Sequence, residues 1–245
     1  MTILPQPLAH TLHRVAADLL PGSCLLCGAD SRAGLLCPAC AADLPPLPAA
    51  CCPQCGEATT HGERCGACLK EPPAFDNTLA LFRYEFPVDR LIQALKYGHQ
   101  LALAAWFGEC LAGIVAAAGH DLLLPLPLHP DRLRERGFNQ SAEIARRVAR
   151  VLGTRTCEGA VQRSRDTRPQ VGLRPEERRQ NIDGAFVASS GFRGLRVAVV
   201  DDVLTTGATV GAVAAALRQA GAISVDVWCV ARAAHKERLD LWPRP

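Results

Sequence analysis

The residues best suited to do chemistry lie between Val197 and Thr209. The apolar run Val197-Ala-Val-Val200 ends in Asp201 and Asp202; Val203 and Leu204 follow, and then Thr205-Thr-Gly-Ala-Thr209. Val210–Arg218 reads as a helix. A buried strand, a loop and a helix N-terminus, in that order, build anion sites in open α/β sheets. The N–H groups of a helix's first turn point at the anion, and the helix dipole adds partial positive charge. Gly207 admits close approach of the backbone. Thr205, Thr206 and Thr209 offer hydroxyl donors. Asp201 and Asp202 would repel an anion. Carboxylates beside such a cradle suit sugar hydroxyls, or a Mg²⁺ shared with the ligand. A ribose 5-phosphate bearing a further leaving group meets all these demands.

These residues need a scaffold. Leu79–Phe86 alternates and predicts a strand. Val88, Leu91, Ile92 and Leu95 recur at helical spacing and predict a helix over Val88–Tyr97 that stops at Gly98. Leu101–Ala118 predicts a second helix. Asp121–Leu128 predicts a buried strand, with Pro125 and Pro127 demanding an edge or a bulge at its end. Gln140–Leu152 predicts a helix capped by Ser141, with Ala142, Ile144, Ala145, Val148 and Leu152 on one face. Arg193–Val200 and Ile223–Ala231 predict strands around a helix at Thr209–Ala220. Strands alternating with helices imply a parallel sheet, whose ligands sit at the strands' carboxyl ends. The charged, aperiodic stretch Arg163–Asp183 predicts a mobile active-site loop.

A second chemistry is written in cysteine. Of 12 cysteines, eight form four Cys-x-x-Cys pairs: Cys24/Cys27, Cys37/Cys40, Cys52/Cys55 and Cys65/Cys68. Nine residues separate the first pair from the second, and nine the third from the fourth. Two such knuckles complete a tetrahedral zinc site, so the repeat predicts two structural Zn²⁺ ions in two small ribbons. Gly28 and Gly56 follow a pair where a knuckle turn favours glycine. Interleaved pairing, first with third and second with fourth, and the loss of one site are the alternatives. Disulfides would need an oxidising compartment, and a redox pair would need a helix start. Cys51 is the spare thiol, and Cys110, Cys157 and Cys229 suit a core. Few apolar residues lie between Cys24 and Cys68, so metal must supply most of that segment's folding energy.

At 245 residues the chain can hold a mid-sized domain and a small one. Pro72-Pro73 marks the boundary, giving an N-terminal helix and double ribbon over 1–71 and an α/β domain over 72–245. Hydrophobic residues make up 49% and the mean hydropathy is +0.07, sufficient for a core. The net charge of +3 does not by itself argue for nucleic acid. Residues 132–179, however, hold 13 Arg against 6 acidic residues. Leu8–Leu20 can form a short amphipathic helix. There is no signal-peptide h-region and no apolar segment long enough to span a membrane, which predicts a cytoplasmic protein.

The string Asp201-Asp-x-x-Thr-Thr-Gly-x-Thr209 resembles the phosphoribosyl pyrophosphate (PRPP) loop of type I phosphoribosyltransferases, a likeness that runs from about Leu79 to Ala233. Three further features complete a wider resemblance: Pro127-Leu-His-Pro-Asp-Arg-Leu-Arg-Glu-Arg-Gly-Phe-Asn-Gln140, the Arg163–Phe186 string, and Ala94-Leu-Lys-Tyr-Gly98. With the cysteine ribbons they are similar to the ComF family, named for competence for DNA uptake. The resemblance implies a type I phosphoribosyltransferase-like parallel sheet flanked by helices, with the zinc-ribbon module at its N-terminus. It puts ribose contacts on Asp201 and Asp202, and 5-phosphate contacts on Thr205, Thr206, Gly207, Ala208 and Thr209. Pyrophosphate contacts fall near Leu128–Arg136. Arg136 is the catalytic candidate beside the two aspartates. Lys96 can reach a phosphate or serve as a helix-end cation. His129 follows a strand end and is the histidine nearest the chemistry. Arg163, Arg165, Arg168, Arg178 and Arg179 can close over the ligand. The implied reaction is phosphoribosyl transfer from PRPP with Mg²⁺, to an acceptor no motif reports; ligand binding is better supported than turnover. Two alternatives stand: a single-stranded-DNA-binding adaptor for a DNA-uptake helicase or translocase, and a PRPP-sensing regulator.

Overall fold

The structure is a computed structural model and describes residues 22–31, 34–115, 119–163 and 185–234. The expected helix at Leu8–Leu20, nearly all of the Arg163–Asp183 loop, and Arg165, Arg168, Arg178 and Arg179 lie outside the described residues, as does the side chain of Arg163.

Two short helices belong to the cysteine segment: α1 (Pro38–Ala42) and α2 (Gly66–Lys70). The α/β part then runs β1 (Thr78–Arg83), α3 (Val88–Tyr97), α4 (Ala102–Val115) and β2 (Leu122–Pro125). It continues with α5 (Pro130–Arg136), α6 (Gln140–Leu152), β3 (Arg155–Thr156), β4 (Val161–Arg163) and β5 (Phe186–Ala188). Last come β6 (Arg196–Leu204), α7 (Ala208–Gln219) and β7 (Ser224–Arg232). The main sheet has five strands in the order β1-β7-β6-β2-β3, every neighbouring pair parallel. β4 and β5 form a separate antiparallel pair.

Strand pleating places successive side chains on opposite faces, and β6 uses both. Ala198 and Val200 share a core with Val88, Leu91, Ile92 and Leu95 of α3, Phe107 of α4 and Ile144 of α6. Val197 and Val199 share the other with Val210, Val213 and Leu217 of α7, and with Phe186 of β5. All four β6 side chains are fully buried. A strand covered on both sides reads as a continuous apolar run, which is what Val197–Val200 shows.

The helix over Val88–Tyr97 and the one over Gln140–Leu152 match the spacing read from the sequence. Two strand readings need correction. β2 stops at Pro125 rather than Leu128: Leu126 N still donates to Val200 O at 2.8 Å, and Pro127 has no N–H to carry the pairing on. β6 continues past Val200 through both aspartates to Leu204. The Leu128–Arg136 stretch, given no element in the sequence reading, contains α5; Pro130 suits its first turn and Gly137, at φ +79°, ends it.

The cysteine segment lies along the outer edge of β1. Thr78 N donates to Pro53 O at 2.9 Å, Thr78 Oγ1 to Gln54 O at 2.7 Å and Arg83 N to Pro45 O at 3.0 Å. An exposed strand edge invites pairing with other chains; here the ribbons occupy it. No helix among the described residues is long and apolar enough to cross a membrane.

Candidate functional site

The carboxyl end of β6 carries the two aspartates. They are buried, with 7% and 4% of their surface exposed. Asp201 Oδ1 accepts from Ser141 Oγ at 3.0 Å and from Asp202 N at 2.8 Å. Asp202 forms an ion pair with Lys96 from the last turn of α3 and accepts from Gln140 Nε2 at 3.5 Å. Burial pushes the Asp201 carboxyl well above the usual carboxylate range, and the charge of Asp202 adds to the rise. Lys96, the Asp202 N–H and the Ser141 hydroxyl oppose that shift.

Helix α6 is the platform for this pair. Its N-cap is Asn139, whose side chain accepts from Ser141 N at 3.0 Å. Ser141 was the expected cap; its hydroxyl instead donates to Asp201. Asn139 Nδ2 also donates to Leu126 O at 3.0 Å, tying the helix start to the end of β2. Gln140 accepts from Arg136. The Arg136 guanidinium also lies over the Tyr97 ring, 5.2 Å from its centroid, and the residue is 7% exposed. Arg136 is therefore at the site but already engaged, holding Gln140 against Asp202. His129 caps α5, its Nδ1 accepting from Asp131 N at 3.2 Å.

Across from the carboxylates, the loop Thr205–Gly207 leads into α7. Gly207 is the N-cap residue at φ +75°, a conformation that strains any residue with a Cβ. Thr205 and Thr206 are exposed, and Thr206 Oγ1 accepts from Ala208 N at 3.4 Å. Lys96, His129, Arg136, Asp201, Asp202 and Thr205–Thr209 all line one cleft of about 860 Å³. Its wall also includes Tyr84 and Tyr97, the only tyrosines of the chain, and Arg132 and Arg134. The cleft pairs a helix N-terminus suited to an anion with buried carboxylates suited to hydroxyls or a hard cation.

The cysteines gather as two sets in sequence order, Cys24/Cys27/Cys37/Cys40 and Cys52/Cys55/Cys65/Cys68, each with its sulfurs within 4.8 Å of one another. The interleaved pairing is excluded. Zinc–sulfur bonds of about 2.3 Å at tetrahedral angles place sulfurs about 3.8 Å apart. Cys27 and Cys37 are 3.8 Å apart and Cys55 and Cys65 3.6 Å, so the sets fit zinc. Gly28 and Gly56 follow their knuckles at φ +74° and +70°. Backbone N–H groups, first of Cys37 and then of Cys27, favour the Cys24 thiolate and lower its pKa to about 6. Burial pushes Cys52 up, but the N–H groups of Cys65, Cys55 and Gln54 outweigh it and bring the thiol to about 7. Cys51 stands apart, its thiol donating to Pro48 O at 3.0 Å. Cys229 is fully buried, whereas Cys110 and Cys157 are partly buried.

Sequence reasoning missed the parts played by Gln140, Ser141 and Asn139, although the Arg-Gly-Phe-Asn-Gln string held the signal. It also missed Arg232, whose partners lie far away in the chain.

Comparison with known proteins agrees with this division of labour. Residues 15–69 match the double zinc ribbon domain, and residues 139–242 match the phosphoribosyl transferase domain. Competence protein F of Haemophilus influenzae is 34% identical over 197 residues, 74% of this chain and 84% of that one. The DNA utilization protein YhgH of Salmonella typhi is 34% identical over 224 residues, covering 87% and 98%. Competence protein ComFC of Streptococcus pneumoniae is 24% identical over 225 residues, covering 85% and 99%.

Proposed function

The chain belongs to the ComF family, and we propose that it binds PRPP with Mg²⁺ in the cleft beside Asp201 and Asp202, in the service of DNA uptake. The observation that carries this reading is the pairing of two buried carboxylates with the helix N-terminus at Thr205–Thr209 in one cleft. The α7 N-terminus would hold the 5-phosphate, and Asp201 and Asp202 the ribose hydroxyls. The same two carboxylates fit Mg²⁺, which would offset charge on the pyrophosphate. Arg132 and Arg134 line the same cleft and are exposed, which supports a pyrophosphate there, with Arg134 exchanging its ion pair to Asp131 for the ligand. Names borne by the relatives, competence and DNA utilization, supply the link to DNA.

Turnover would be phosphoribosyl transfer. The C1–oxygen bond to pyrophosphate breaks and its electron pair leaves with pyrophosphate. An acceptor lone pair then forms the new bond at C1. Carboxylates near C1 would stabilise positive charge developing on the ribose, and most of the rate would come from placement and electrostatics. In this reading residues 1–71 form the zinc module and 72–245 the ligand domain, in a cytoplasmic protein.

A second reading, a single-stranded-DNA adaptor for an uptake translocase, is favoured by the exposed Arg132 and Arg134 at the cleft. Calorimetry with PRPP and Mg²⁺ separates the two. Saturable one-site binding that Asp201→Asn with Asp202→Asn abolishes is the expected result. Binding unchanged by that pair refutes the site. No PRPP binding, with salt-dependent single-strand affinity instead, favours the DNA reading.

A further inference from the structure

Arg232 ends β7 and is 2% exposed, one of the most deeply buried charges among the described residues. Its guanidinium is shared between the second ribbon and the anion loop. Nε donates to Cys55 O at 2.7 Å, and Nη2 pairs with Glu57 Oε2 at 2.8 Å, both side chains 3% exposed. Nη1 donates to Leu204 O at 3.2 Å, to Thr205 O at 2.7 Å and to Ala233 O. The knuckle side is tightly built. Gly56, between the two groups that hold Arg232, is at φ +70°, and a Cβ there would meet Thr78 Cγ2 at 3.2 Å and Arg232 Cδ at 3.6 Å. The loop side fixes the peptide planes at the entry to Thr205–Thr209. The orientation of the following N–H groups depends on those planes.

We propose that the second four-cysteine site sets the anion affinity of the Thr205–Thr209 loop through Arg232, a positioning residue rather than a catalytic one. With zinc in place, the knuckle fixes the Cys55 carbonyl and the Glu57 carboxylate, these fix the guanidinium, and the guanidinium fixes Leu204 and Thr205. The buried cation also sits behind the loop that receives the phosphate. The first ribbon has no such route among the described residues. It joins the sheet's helical face, where Cys24, Leu36, Cys37 and Leu44 pack in the larger core. The second set clusters mainly with itself, so its geometry depends on metal.

Coupling between two binding sites is reciprocal, which gives two readouts. The ligand readout rests on the PRPP reading; the backbone readout does not. In the full-length protein, with zinc counted before and after, PRPP with Mg²⁺ should slow release to a chelator of one zinc of the two. Arg232→Met and Glu57→Gln should keep both zincs. Each should lower PRPP affinity roughly tenfold, as expected for lost hydrogen bonds to a charged group. Hydrogen exchange at the amides of 205–209 should quicken by about the same factor in Arg232→Met. Should Arg232→Met fold poorly, Glu57→Gln carries the same test with the chain's shape kept. Wild-type protein that binds no PRPP sinks the ligand reading alone, and the exchange data still decide the coupling. Unchanged exchange at 205–209 in both variants, or upon loss of the Cys52/Cys55/Cys65/Cys68 zinc, overturns the inference.

Discussion

Lys96→Met should destabilise the protein by about 3 kcal/mol at neutral pH, because it strands a buried carboxylate. Lys96 and Asp202 form an ion pair whose side chains are 19% and 5% exposed. Removing one partner of a buried pair costs about 3–5 kcal/mol, and partial exposure of Lys96 places this pair at the lower end. The other described support for Asp202, the 3.5 Å contact from Gln140, is long and replaces little of the lost attraction. In a chain of this size each kcal/mol moves Tm by about 2–4 °C, so the drop should be roughly 6–12 °C. The dependence on pH supplies the sharper check. Asp201 has a folded-state pKa above its unfolded value, through burial first and the charge of Asp202 second. Its contribution is full below the unfolded pKa and is lost as pH rises through the folded pKa. Lys96 is one of the groups that hold this pKa down. Its loss moves the folded value up and widens the pH range over which stability falls. Thermal unfolding at pH 8 and pH 5 should therefore show the variant closest to wild type at pH 5. In an Asp202→Asn background the penalty should shrink, since the stranded carboxylate is gone while the partly exposed Lys96 still faces Asp201. A Tm within about 2 °C of wild type at pH 8, or a larger penalty at pH 5, would refute the assignment of Lys96 as the counter-ion.

Two further outcomes can be checked. Metal analysis should find two zinc ions per chain, falling to one in Cys37→Ser and in Cys65→Ser, because each removes a ligand from a different set. Gly207→Ala should lower Tm by about 2–8 °C, the effect of roughly 1–2 kcal/mol of left-handed strain. It should also weaken PRPP binding. A clash would not be the cause, since the new Cβ would meet the Phe75 ring only at 3.5 Å.

What could be read in advance was local. The four knuckles announce themselves because a Cys-x-x-Cys turn and its following glycine are set by neighbours in the chain. The helices over Val88–Tyr97 and Gln140–Leu152 show because their apolar stripes repeat within ten residues or so. The candidate loop at Thr205–Gly207 shows because strand, loop and helix are consecutive. The errors arose where distant residues decide. Asp201 and Asp202 mark the end of the apolar run, and the sequence pattern ends the strand there. In the structure β7 pairs with β6 as far as Leu204↔Arg232, and the ladder carries both acids into the interior. That burial gives Ser141, Gln140 and Lys96 their work, since a carboxylate drawn out of water must be met by donors and cations from elsewhere. Ser141 lies 60 residues from Asp201 in the chain, and Glu57 lies 175 from Arg232. No periodicity encodes such pairs. Even so, they share one cause: the sheet carries charge inward at its carboxyl end, and each buried charge recruits a partner from a different module. The aspartates recruit α3 and α6, and Arg232 recruits the second ribbon. The zinc segment is thus joined to the cleft by the electrostatic demands of the cleft itself, and altering Glu57 should perturb ligand binding although Glu57 does not line the cleft.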